Sequence, residues 1–115
     1  MKENVMGLDQ YAFTRKAGEK DTQISQWRKH ADLEGWMSEL YYEKGGTEDV
    51  FNCVELTLTK EDLLRLKDEY QNLEQASGFF WGTSGKYEEI QTGDFIKSAL
   101  EAIDAGYEVI YTSWW

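Results

Sequence analysis

Proline does not occur in this 115-residue chain, and cysteine and histidine occur once each, as Cys53 and His30. Without proline, Gly and Asn/Asp are the only strong turn formers, so element ends are weakly marked. A single cysteine excludes an internal disulfide framework, and with a single histidine it excludes a multi-His or Cys/His metal cluster. No apolar run approaches the ~18 residues of a membrane span, and Met1-Lys2-Glu3-Asn4-Val5 lacks the apolar core of a secretory signal, which together imply a cytoplasmic protein. Basic residues are also few. Twelve Lys and Arg face twenty-two Asp and Glu, a formal charge of −10 that repels phosphate backbones and anionic headgroups. Nucleic acid and membrane are therefore disfavoured as partners. The acid excess is larger over residues 51–115 than over 1–50, so a cationic partner would favour the second half.

Aromatic residues are abundant at 15% of the chain, and the last nine residues, Tyr107-Glu108-Val109-Ile110-Tyr111-Thr112-Ser113-Trp114-Trp115, read as an aromatic strand. Two adjacent indoles must be docked in a core or held for a contact, since each fully buried Trp accounts for about 3–5 kcal/mol.

Along the chain, Tyr11 and Phe13 alternate with Gln10, Ala12 and Thr14, which predicts a strand over 8–15 with its aromatics toward the core. Residues 22–28 supply a hairpin partner. Leu33, Trp36, Met37, Leu40 and Tyr41 then recur at helical spacing until Gly45-Gly46. Residues 51–58 read as a strand with Val54, Leu56 and Leu58 on one face. Thr59 to Asp62 form a capping-box pattern flanked by Leu58 and Leu63, opening a helix with the stripe Leu63, Leu66, Tyr70 and Leu73. Residues 75–85 read as a loop holding Phe79, Phe80 and Trp81 between glycines. Gly93-Asp94 is the expected start of a third helix carrying Phe95, Ile96, Ala99, Leu100 and Ile103, with Gly106 at its C-terminal cap. The order strand, strand, helix, strand, helix, helix, strand predicts one α+β domain over 1–115, a mainly antiparallel sheet with about three helices on one face.

Met6-Gly7-Leu8-Asp9-Gln10-Tyr11, Trp27-Arg28-Lys29, Gly78-Phe79-Phe80-Trp81-Gly82 and Tyr111-Thr112-Ser113-Trp114-Trp115, in that order, resemble a family of small phage and bacterial proteins. Its members typically begin Met-Gly-Leu-Asp-x-Tyr and end Tyr-Ser-Ser-Trp. Many are labelled phosphoglycerate kinase, yet a chain this short cannot hold the two large domains that enzyme needs. The resemblance implies a phage context and a shared fold, with no reaction attached. Residues 1–5 precede the family's usual start at Met6, which leaves the initiation codon open and reads 1–5 as an extension of the domain, and Thr112 stands for the first Ser of the terminal pair.

The candidate site residues are aromatic and basic: Tyr11, Trp27, Arg28, Lys29, Phe80, Trp81, Trp114 and Trp115. The segment 78–86 fails as a phosphate loop, because Phe80 and Tyr87 occupy positions that need Gly and Ser or Thr. Trp27, Arg28, Lys29 and His30 form the most basic spot on an acidic chain, but on a strand Trp27 and Arg28 point oppositely. Asp9 is expected to pair with Arg28 across the hairpin. Ser113, His30 and Asp9 lack the sequence context of a nucleophile–base–acid set, and the adjacent acids at 61–62, 68–69 and 88–89 read as solvated faces. The first functional expectation is therefore a non-catalytic module that binds a host protein through an aromatic patch rimmed by acids. The alternative is a planar anionic small molecule such as a nucleotide, stacked on Tyr11, Trp27, Phe80 and Trp114 and met by Arg28 or Lys29. Neither reading calls for a cofactor or metal, and catalysis ranks last.

Overall fold

The computed structural model describes residues 7–73 and 85–115. Strand β1 (Asp9–Arg15) turns through Gly18, at φ +84°, into β2 (Thr22–Arg28). Helix α1 (Ala31–Glu43) follows, then β3 (Leu56–Leu58), α2 (Lys60–Glu69) with a single 3-10 turn (Tyr70–Asn72), α3 (Lys86–Asp104) and β4 (Glu108–Trp114). The strands pair antiparallel throughout in the order β2-β1-β4-β3, so the last strand inserts into the centre of the sheet. The α+β class and the element order are those read from the sequence.

One sheet face is dry. Ala12 from β1, Trp27 from β2, Leu56 and Leu58 from β3, and Val109 and Tyr111 from β4 meet Leu33, Met37 and Leu40 of α1, Leu63 and Leu66 of α2, and Phe95, Ile96 and Ala99 of α3. Trp27 sets the centre. Its ring lies edge-on to Phe95 at 5.0 Å, and its indole nitrogen donates to Thr92 Oγ1 at 3.0 Å. A buried indole needs such a partner, and α3 supplies it.

Three expectations are corrected. On β1 the buried residues are Gln10, Ala12 and Thr14, while Tyr11 and Phe13 lie half-buried on the opposite face. The inward face takes small Ala12 where the large Trp27 and Tyr111 rings pack, and it takes Gln10 for its hydrogen bonds. Second, only 56–58 of the predicted 51–58 strand is regular. Cys53 sits at φ +61°, a left-handed conformation that breaks a strand, although its N–H still donates to the Ser113 carbonyl at 2.7 Å. Third, α3 begins at Lys86 and not at Gly93. Gly93 lies inside the helix, where a Cβ would come within 2.9 Å of the Tyr70 hydroxyl, so close packing explains the glycine.

Each outer strand has a carbonyl met by a side chain. Lys44 Nζ donates to the Thr57 carbonyl at 2.8 Å on β3, and the Gln91 amide of α3 donates to the Gln26 carbonyl on β2.

The capping box at α2 is complete. The Asp62 N–H donates to Thr59 Oγ1 at 3.1 Å and the Thr59 N–H to Asp62 Oδ2 at 2.9 Å, with Leu58 and Leu63 both buried beside it. Thr59→Ala removes the acceptor and should lower unfolding free energy by about 1 kcal/mol, read as a reduced urea midpoint at unchanged m-value.

Candidate functional site

Helix α1 carries a charged residue on its buried side. Glu34 stands three residues before Met37 and one after Leu33, and its side chain is fully buried between α1 and the sheet. Three donors converge on it from alternate residues of β4 and the residue just beyond it. Tyr111 Oη donates to Oε1 at 2.6 Å, and Ser113 Oγ and Trp115 Nε1 donate to Oε2 at 2.7 and 3.1 Å. Alternation on a strand puts 111, 113 and 115 on one side, which is why one carboxyl reaches all three.

The network continues outward. Gln10 Nε2 donates to Tyr111 Oη at 2.9 Å and to the His30 carbonyl at 3.1 Å, while its Oε1 accepts the His30 N–H at 2.9 Å. Gln10 therefore joins β1 to the start of α1. Trp115 Nε1 also donates to the Phe51 carbonyl at 2.9 Å, and Asn52 brackets the same residue, its Oδ1 accepting the Trp115 N–H and its amide donating to the Trp115 backbone oxygen.

None of the Lys or Arg ion pairs among the described residues involves Glu34. Burial raises its carboxyl to about 7 from an ordinary 4.5, against the opposing pull of the Tyr111, Ser113 and Trp115 donors. Burial, reinforced by the adjacent Glu34, pushes the Tyr111 phenol well above its usual range. Burial likewise lowers the His30 imidazole, partly offset by Asp32, Glu88 and Glu89. The cluster is a buried hydrogen-bonded core, and Glu34, Tyr111, Ser113 and Trp115 line neither of the clefts formed by described residues.

Among the described residues no helix packs on the opposite sheet face, although Ile110 on it is buried. In register across it lie Arg28, Asp9 and Trp114, then Gln26, Tyr11 and Thr112, then Gln23, Phe13 and Ile110. Trp114 is 64% exposed, and Tyr11 and Phe13 are half-buried. Asp9 and Arg28 face each other as expected, at 3.8 Å. Arg15 bridges Asp21 and Glu55, at 3.0 and 3.1 Å, and its guanidinium lies 5.4 Å from the Phe13 ring centre.

The predicted site residues thus divide. Tyr11, Arg28 and Trp114 share the open face. Trp27, 1% exposed, belongs to the core, and Trp115 is anchored at Glu34, Phe51 and Asn52. Lys29 is exposed at φ +61° in the turn after β2. Phe80 and Trp81 lie outside the described residues. Tyr11, Trp27 and Trp114 therefore do not line a common pocket, because Trp27 is on the other side of the sheet. A cleft of about 550 Å³ lies between α2 and α3 over Tyr70, Ile96 and Leu100, and none of the predicted aromatics lines it. Among the described residues no group of three or more His, Cys, Asp or Glu is placed to hold a metal ion, and no helix is long and apolar enough to cross a membrane.

The sequence reading passed over Glu34 and Gln10. The available signal was the spacing 34, 37, 41, which sets a carboxylate among core-facing positions of α1. Comparison of the chain with family models, curated proteins and solved structures finds no match.

Two outcomes test the cluster. The carboxyl binds its proton more tightly folded than unfolded, so its contribution to stability is fully present below pH 4.5 and is lost as pH rises through about 7. Unfolding free energy measured in urea should therefore fall from pH 5 to pH 8, by at most roughly 3 kcal/mol, and Glu34→Gln should flatten that slope. Tyr111→Phe deletes the hydroxyl between Gln10 and Glu34 and should cost about 1–3 kcal/mol at either pH by the same measurement.

Proposed function

We propose that this chain is a non-catalytic protein-interaction module whose contact surface is the open face of the sheet, in a phage setting that makes the partner a host protein in the bacterial cytosol. One observation carries the reading: Trp114 stands 64% exposed on a central strand, on a face shared with Tyr11 and Phe13, while its neighbour Trp115 is bonded to two elements behind it. An indole held on rigid backbone has little freedom left to lose on binding, and Trp and Tyr dominate interface hot spots.

Charge indicates the partner's chemistry. Asp9, Asp21, Glu55 and Glu108 surround the open face, and Arg15 and Arg28 there already face carboxylates. With a chain charge of −10, the complementary surface is an apolar centre ringed by lysine or arginine. Pairing through a sheet edge is the less favoured route, since side chains already bond carbonyls on both outer strands. The stacking of a planar anion loses its support, because Trp27 is in the core.

The test compares capture from bacterial lysate by the wild-type chain and by Trp114→Ala, with the partner identified and purified. The variant should keep its melting temperature and lose at least about tenfold in affinity, and salt should weaken wild-type binding. Equal capture by both chains, or capture by neither, counts against the reading.

A further inference from the structure

We infer that the cleft between α2 and α3 is a binding site for a small amphipathic anion, an aliphatic carboxylate whose head is met by Lys67 and Lys97 and whose chain lies on Ile96, Leu100 and Tyr70. The cleft is separate from the open sheet face, and the inference does not depend on what that face binds.

The two helices set the shape. They run antiparallel, since Lys60 at the start of α2 meets Asp104 at the end of α3 at 3.6 Å, while Tyr70, just past α2, lies against Gly93 in mid-α3. The cleft of about 550 Å³ lies between those contacts, a volume usual for small-molecule sites. Its floor is apolar, with Ile96 buried and Leu100 and Tyr70 half-buried. Gly93 lets the Tyr70 ring close one end, because a β-carbon there would meet the phenol oxygen at 2.9 Å.

The walls carry the charge. Lys67 lies two helical turns in from Lys60, and Lys97 two turns in from Asp104, so the two lysines line the cleft from opposite helices. Six other Lys and Arg side chains pair with carboxylates, but among the described residues neither Lys67 nor Lys97 does. Glu101 also lines the cleft, one turn beyond Lys97, and forms no ion pair with either lysine. Two unpaired cations facing one apolar trough are unusual in a chain with twenty-two acids. A carboxylate between them gains two charge-assisted hydrogen bonds, and its alkyl chain removes the floor and the lysine stems from water. The lining also narrows the ligand. Tyr70 is the one ring in it, so no aromatic pair can sandwich a planar base, and it holds no arginine to fork onto a phosphate.

The experiment titrates the full chain with octanoate, octanol and octylammonium below their micelle-forming concentrations, followed by backbone amide NMR. Octanoate should give saturable shifts at Lys67, Tyr70, Gly93, Ile96, Lys97 and Leu100 and bind at least about tenfold more tightly than octanol. Octylammonium should bind there more weakly still, although a chain charge of −10 attracts it at long range. Lys67→Gln and Lys97→Gln should each weaken octanoate about three- to tenfold and leave octanol unchanged. Both lysines are exposed and without ion pairs, so the variants should keep the wild-type melting temperature. Lys20→Gln removes the same charge from the β1–β2 turn and should leave octanoate binding as it was. Shifts that map elsewhere, no saturation with millimolar octanoate, or equal affinity for octanoate and either control overturn the inference. So does wild-type octanoate affinity in both cleft variants, or an equal loss in Lys20→Gln.

Discussion

A carboxyl group taken out of water without a cation has to be satisfied by neutral donors, and Glu34 draws its three from alternating positions at the end of one strand. That arrangement places β4 relative to α1 more narrowly than apolar packing could, because hydrogen bonds are directional and hydrophobic contact is not. Other features follow from it. Gln10 occupies a core position of β1 because Tyr111, once it donates to Glu34, has lone pairs left to fill. The backbone before β3 bends at Cys53, yet Phe51 and Asn52 still reach Trp115.

The sheet therefore has two distinct sides. Its helix-covered side uses aromatic rings as core, with Trp27 between Phe95 and Tyr111, and Phe51 stacked on Tyr111. Its other side carries Tyr11, Phe13 and Trp114 among charges that are already paired. The aromatic content noted in the sequence thus serves two ends on the sheet, while Tyr42 and Tyr87 stand exposed on the helices.

Much of the architecture was readable before any coordinates. Helical spacing located α1 and α2, the Thr59–Asp62 pattern marked a real cap, and charge opposition paired Asp9 with Arg28. The hydrophobic face of β1 was assigned by polarity alone, whereas the structure chose by size and hydrogen bonding: Ala12 leaves room for large rings, and Gln10 serves a hydroxyl. On 51–58 the face with Leu56 and Leu58 was read correctly and only the length was not, because Cys53 is left-handed. Lys86 to Gln91 lack a strong apolar stripe, so α3 was legible only from Phe95 onward. Glu34 was overlooked because an acid in a helix normally marks solvent, and its donors lie some eighty residues away in the chain. The aromatic segment at Phe80 and Trp81 lies outside the described residues.

The occupied outer strands have a bearing on how the molecule behaves when crowded. A carbonyl on β3 is taken by a lysine whose charge also meets Asp62, and one on β2 is taken by an α3 amide. An incoming strand would have to displace one of these bonds at whichever edge it joined, and a second copy would bring its own negative charge against an already acidic neighbour. Fibril growth by sheet extension is thereby discouraged, even though a large indole is left facing solvent.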